Sequence, residues 1–251
     1  MSAARLLRSS RRRPESLAAT YTFGGRSLHS PRDQPSGPLR STLLRNDGWG
    51  ALVDARRIMV LTTWPSVEAL DAHERTVSWP ADAERWHVRL IPVRTTGTLH
   101  GRDPLDGISA AGQSGALPGV VFTYAGVPPR NLPAFYRLLL RSAAEQQSAA
   151  GALASFATPG LDGLSFSGFT VSAWRTLTDA LAYAHRGPHH AAAMRWHARR
   201  RASGHASEAW FARCVLERSQ GTIAGRDPFA DIAAAPDAAL TPGTLAAGRR
   251  R

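Results

Sequence analysis

A chain of 251 residues is long enough for one large domain or two of ordinary size, and a hydrophobic fraction of 43% can fill a sizeable core. The formal charge of +12 comes from 31 basic residues, all of them arginine, and the excess sits at the ends: Arg5, Arg8, Arg11, Arg12, Arg13, Arg26, Arg32 and Arg40 face only Glu15 and Asp33 over residues 1–40, and Arg249, Arg250 and Arg251 close the chain. The nearly balanced body carries no basic stripe interleaved with aromatics, which argues against a nucleic-acid partner, and no apolar run of about 18 residues, which excludes a spanning helix.

In chain order, residues 1–45 read as a disordered or irregular segment. They are rich in Arg and Ser, but they lack the apolar stretch and cleavage site of a secretory signal. A first half follows over 46–115, with a strand over 56–63 (RRIMVLTT), a helix over 66–75 and a strand over 86–94; its opening strand and helix are not recognisable. The second half, 116–232, reads as complete. A strand over 119–125 (GVVFTYA) ends at Gly126 and Pro128-Pro129. Asn131 caps a helix with Pro133 in its first turn and Phe135, Leu138, Leu139 and Ala143 at helical spacing. A short strand is placed in 156–164 and a longer one over 166–174. Thr176 begins a helix with Leu177, Ala180, Leu181 and Ala184 on one face, which Gly187-Pro188 interrupts and restarts; a strand over 208–216 follows. Residues 233–251 read as a disordered tail.

Cys214, the sole cysteine, permits no internal disulfide and no zinc site that needs two or more thiolates, so its reading is a small core residue in a reducing, cytoplasmic setting. There is no phosphate-binding glycine loop before a helix, no Gly-x-Ser-x-Gly turn and no His-Glu-x-x-His; His185 and His189 are four apart, but Gly187-Pro188 breaks the helix between them.

The chain repeats itself. Gly97-Thr98-Leu99-His100-Gly101-Arg102-Asp103-Pro104-Leu105 returns 124 residues later as Gly221-Thr222-Ile223-Ala224-Gly225-Arg226-Asp227-Pro228-Phe229. The same offset pairs Trp86 with Trp210, Arg89 with Arg213 and Val93 with Glu217, and Trp64 before one helix answers Trp174 before another. The expected fold class is therefore α+β: tandem ferredoxin-like halves of the dimeric α/β-barrel type, with antiparallel sheets and helices on one face. Because the Gly-Thr-x-x-Gly-Arg-Asp-Pro segment occurs in both copies, its reading is structural, closing each half.

Ser172-Ala173-Trp174, Ala182-Tyr183-Ala184, Gly187-Pro188-His189-His190, Met194-Arg195, Glu208 with Phe211-Ala212-Arg213, and Gly221 to Pro228 follow one another in an order that resembles the spheroidene monooxygenase family over residues 46–230. Three features depart from the family pattern: His205-Ala206 after Gly204, Cys214 in place of a usual Phe, and about three inserted residues near Arg199 to Arg201. The resemblance implies a haem-dependent monooxygenase that uses O2 and a reduced ferredoxin to insert a keto group into a carotenoid such as spheroidene. His190 is the first choice of iron ligand and His189 the second, with Met194 and His197 on the face of His190; Arg195 would pair a haem propionate, and Trp174, Tyr183, Trp210 and Phe211 would line the substrate pocket. Each also has a plainer reading: a histidine after Gly-Pro can be a cap or surface residue, Arg195 a solvated ion-pair partner, and large aromatics at strand ends core. Two other readings remain. One is a non-catalytic haem- or lipid-binding member, suggested by the incomplete first half; the other is a cofactor-independent monooxygenase of the antibiotic-biosynthesis type. The expected assembly is a monomer or homodimer, cytoplasmic, with peripheral contact at the inner membrane.

Overall fold

A computed structural model describes residues 18–24, 40–46, 57–64, 67–76, 85–99, 101, 103–105, 115–162, 165–202, 208–223 and 225–232. Its strands are β1 (Ala18–Gly24), β2 (Arg40–Asn46), β3 (Arg57–Trp64), β4 (Arg85–Gly97), β5 (Gly119–Val127), β6 (Ala152–Asp162), β7 (Ser165–Trp174) and β8 (Ala209–Gly221); its helices are α1 (Val67–Thr76), α2 (Leu132–Gln147), α3 (Leu177–Arg186) and α4 (Pro188–Ala202). All eight strands join one antiparallel sheet in the order β2-β3-β1-β4-β8-β5-β7-β6. The edge strands β2 and β6 approach within 8 Å of each other.

This order corrects the reading of the first half. Its opening strand exists: β1 pairs with both β3 and β4, and β2 pairs with the outer edge of β3, where residues 1–45 were expected to be irregular. The segment AATYTFG has the β-branched and aromatic content of a strand but stands between arginine-rich stretches that hide it. What makes it a strand is the slot between β3 and β4, whose backbone groups it pairs on both sides. The first half thus has the order β4-β1-β3-β2 and the second the matching order β8-β5-β7-β6. The helix expected between the first two strands of this half would fall in residues 25–39, outside the described residues. β6 runs eleven residues and is no short strand in a loop.

The halves meet where β4 pairs with β8. Trp86 lies opposite Gly221 and Gly97 opposite Trp210, so the glycine that opens each copy of the repeated segment faces the tryptophan near the start of the other half's last strand. The register slips twice, at Glu217 on β8 and at Val93 on β4. These two bulge residues are the pair that the 124-residue offset aligns, so the irregularity is shared by both copies.

Alternate residues of the central strands bury one face of the sheet: Trp86, Val88 and Leu90 on β4, Val120, Phe122 and Tyr124 on β5, Phe169, Val171 and Ala173 on β7, and Trp210, Ala212 and Cys214 on β8. Trp210 packs 6.2 Å from both Phe122 and Phe169 between ring centroids. Each fully buried large side chain contributes about 1.5–3 kcal/mol. Cys214 is fully buried, and desolvation pushes its thiol pKa up, so it behaves as a small apolar residue.

After each half's last strand the repeated segment crosses to the other half. Thr98 N–H donates to Ala209 O at 2.9 Å and Thr222 N–H to Arg85 O at 2.7 Å. Asp103 Oδ1 then accepts from Trp210 Nε1 at 2.9 Å and Leu105 N–H at 3.0 Å. Asp227 Oδ1 accepts from Phe229 N–H at 3.0 Å and Ser219 Oγ at 2.7 Å, and Ser219 Oγ accepts from Trp86 Nε1 at 3.0 Å. The Asp shared by both segments is therefore a clasp beneath a buried tryptophan, which is a structural task.

Candidate functional site in the helical layer of the second half

The helices lie on the other face. α3 packs on β5 and β7, α2 on β6, and α4 on α2 and α3. The N-terminus of α3 is set by Thr176, whose hydroxyl accepts from Asp179 N–H at 3.0 Å. The last residue of each half's third strand starts a matched pair of aromatic contacts: Trp64 lies 4.6 Å from His73 of α1, and Trp174 lies 5.3 Å from Tyr183 of α3.

Around Tyr183 a polar cluster is assembled from three helices. Tyr183 OH donates to Ser142 O of α2 at 2.8 Å, and burial, helped by the Glu145 charge, pushes its phenol pKa up, so it stays protonated. Glu145 Oε2 of α2 accepts from the backbone N–H groups of His189 and His190 at 3.1 Å each. A carboxylate thereby sits at the N-terminus of α4, where unpaired N–H groups and the helix dipole favour negative charge. Trp174 Nε1 donates to Ser172 Oγ at 2.8 Å, which settles the indole against the strand.

His190 projects into this cluster. Its ring lies 4.9 Å from that of Tyr183, and its Nδ1 is 3.1 Å from Ala184 O. A carbonyl oxygen can only accept, so the proton resides on Nδ1 and the Nε2 lone pair is left for another partner. That division between the two ring nitrogens is the one metal-ligating histidines adopt. Desolvation holds the His190 pKa below its ordinary value of 6.5, with His185 acting in the same direction and the Ala184 carbonyl and Glu145 opposing.

The sign of this shift gives a pH dependence. The unfolded chain binds a proton at His190 more readily than the folded one, so folding stability is fully present above about pH 6.5 and declines as the pH falls through the window below it. Replacing His190 by Gln is expected to flatten the slope of unfolding free energy between about pH 7 and pH 5. Urea unfolding at a series of pH values checks this, and an unchanged slope would refute it.

The sequence-derived candidates are only partly brought together. His190, Tyr183 and Trp174 converge. His189 and Arg195 are exposed on α4. Trp210 lies on the opposite, buried face of the sheet with its Nε1 on Asp103, and Phe211 points to the other side of β8 from Trp210. Trp174 and Trp210 therefore do not line one pocket. Sequence reading did not find Glu145 or Ser142, because nothing in α2 by itself distinguishes a capping carboxylate from a solvated one.

A second polar cluster ties α1 to both halves. Glu74 Oε1 lies 2.9 Å from His87 Nε2, Glu74 also pairs with Arg218 of β8, and buried Arg89 reaches Asp71 at 2.8 Å. Burial works against the Glu74 carboxylate, yet His87, Arg89 and Arg218 together hold its pKa below the ordinary value. Among the described residues no three His, Cys, Asp or Glu side chains gather to hold a metal ion. A group bound through a single protein ligand makes no such demand.

No protein-family model and no curated protein matches this sequence. Solved structures do match it. Aldoxime dehydratase OxdRE in complex with butyraldoxime aligns over 81% of this chain and 80% of its own, with a TM-score of 0.54 at 11% identity. A second aldoxime dehydratase structure aligns over 88% and 89%, with a TM-score of 0.56 at 11% identity. The chain shares its fold with aldoxime dehydratase. The haem-degrading enzyme LmHde of Listeria monocytogenes aligns more loosely, with a TM-score of 0.32 at 12% identity over 77% of this chain and 97% of its own. At 11% identity the likeness to the two aldoxime dehydratase structures is one of fold.

Proposed function

We propose that the protein is a haem-dependent monooxygenase of the spheroidene monooxygenase type, acting on a carotenoid or another long apolar molecule, with a reduced ferredoxin supplying electrons. The observation that carries this reading is His190, a neutral, half-buried imidazole whose Nδ1 proton is committed to Ala184 O and whose Nε2 lone pair suits an iron. Haem, when bound, would supply the activation of O2. Glu145 holds the first turn of α4, and with it the His190 backbone, in place; Tyr183, backed by Trp174, gives the imidazole an aromatic flank that limits water. Arg195, exposed on the same helix, is the residue this reading assigns to a propionate. His189 is the weaker ligand candidate because its side chain is exposed.

The same reading takes the two halves as tandem ferredoxin-like units closed in the manner of a dimeric α/β barrel, supported by their matching strand orders and by the approach of β2 to β6. The presence of β1 removes the main reason for a degenerate, non-catalytic member, since the first half has all four of its strands. Because aldoxime dehydratase shares the fold over four fifths of the chain or more, dehydration of an aldoxime such as butyraldoxime is the second activity to assay.

The test is the absorption spectrum of protein expressed with a haem precursor. Wild type and His189→Ala are expected to show a Soret band, and His190→Ala to lose it while keeping the wild-type circular dichroism; added imidazole should restore it. A wild type without the band overturns the haem reading, and turnover by such haem-free protein would point to the cofactor-independent class.

A further inference from the structure

Among the described residues the large hydrophobic side chains that stand exposed are Tyr136 at 37%, Leu140 at 56% and Met194 at 39%, and all three lie on α2 and α4. These helices pack against each other, with Phe135 6.4 Å from Trp196 between ring centroids. On α2 the inward stripe is Phe135, Ser142 and Glu145, which contact α4 and α3. The outward side follows from helical geometry: Tyr136 and Leu140 form one row, a turn apart, and exposed Arg137 and Arg141 form the adjacent row. Arg130, in the 3-10 turn Pro129–Asn131 that leads into α2, is also exposed. The sole acid of α2 is Glu145, which is turned inward onto the α4 N-terminus, and α4 contains no acid while exposing Arg195 and Arg199.

Single exposed apolar residues are ordinary on any surface. What needs explaining is an apolar row beside an arginine row, with no exposed carboxylate on either helix to compensate the charge. Arginine forks pair phosphate oxygens, and a tyrosine and a leucine at the same level suit the boundary between headgroups and acyl chains. A protein partner would need a larger continuous apolar area than two side chains provide, whereas a bilayer surface requires only shallow insertion plus charge. No described helix is long and apolar enough to cross a membrane.

We propose that the outer face of α2, extended by α4, docks the protein onto an anionic phospholipid surface, with Tyr136 and Leu140 inserted at headgroup level and Arg130, Arg137 and Arg141 on lipid phosphates. This does not depend on whether haem is bound.

The experiment is flotation of the full chain with vesicles of phosphatidylcholine alone and of phosphatidylcholine with phosphatidylglycerol. Binding is expected only with the anionic vesicles, and Arg137→Ala/Arg141→Ala should weaken it about thirtyfold at an unchanged melting temperature. The variant Arg249→Ala/Arg250→Ala/Arg251→Ala should bind as wild type does. A reporter placed on the face separates docking from attraction through the arginine-rich ends: in Leu140→Cys, labelled with an environment-sensitive dye, emission should shift to the blue with anionic vesicles, and buried Cys214 will not compete for the label. Unshifted emission, equal binding to neutral vesicles, or full binding by the α2 double variant would each overturn the proposal. Failure to float with either vesicle would overturn it in favour of an acidic protein partner.

Discussion

Gly97→Ala and Gly221→Ala are each expected to destabilise the protein by about 4 kcal/mol, a large share of the about 5–15 kcal/mol that holds an ordinary domain folded. Both glycines have left-handed backbones, with φ of 86° and 80°. A β-carbon at Gly97 would lie 2.0 Å from Ala209 O, and one at Gly221 would lie 2.0 Å from Arg85 O. These carbonyls accept from Thr98 and Thr222 N–H at the junction of the two halves, so relieving the clash breaks those bonds. Strain at positive φ accounts for about 1–2 kcal/mol of the loss and the forced separation of backbones for the rest. Gly101 and Gly225 provide the control within the same segments. Their φ values are 75° and 74°, but nothing lies within 4 Å of an added β-carbon. Alanine there should cost only about 1 kcal/mol. Urea unfolding of the four variants distinguishes the effects, and equal losses at all four positions would show that close approach of the halves is not what selects glycine at 97 and 221.

Asp103→Ala should be the next most damaging change, with a loss of about 3 kcal/mol. The carboxylate accepts from Trp210 Nε1 and Leu105 N–H, and Asp103 Oδ2 accepts from Thr95 Oγ1 at 2.5 Å. Removing it strands the indole N–H of a fully buried tryptophan, which is the costly part of the loss. Asp103→Asn retains one carbonyl oxygen for Trp210 and Leu105 and should recover more than half of the stability. Asp227→Ala should be milder, because Trp86 Nε1 donates to Ser219 Oγ and keeps that partner when the carboxylate is gone. Guanidinium unfolding followed by circular dichroism gives the ranking; an Asp227 variant worse than the Asp103 variant would contradict this account of the clasp.

Much of the second half was readable in the residues themselves. The strand over 119–125, the Thr176 cap and the break at Gly187-Pro188 are local signals, because a β-branched run, a hydroxyl three residues before a carboxylate and a missing N–H act on their immediate neighbours. The 124-residue repeat also pointed to a structural role for its two segments, since residues shared at the same spacing need similar surroundings. β1 escapes the sequence pattern because its composition is diluted by arginine-rich flanks, and β6 extends beyond the short strand that its residues suggest because Pro159 and Gly160 resemble loop residues.

The residues alone carry the recurrence of Gly-Thr-x-x-Gly-Arg-Asp-Pro after 124 positions, its structural reading, and the place of His190 in a restarted helix. Packing is what places residues 18–24 in a slot between β3 and β4, sets Trp174 and Trp210 on opposite faces of the sheet, and makes His190 present Nε2 rather than Nδ1. Periodicity reports which residues alternate between two environments, but it does not say which environment is which. The tautomer of His190 is set by the Ala184 carbonyl at the end of α3, and its backbone is held by Glu145 from α2, 45 residues earlier in the chain. Such contacts exist only once the helices have packed, and no local pattern in the chain encodes them.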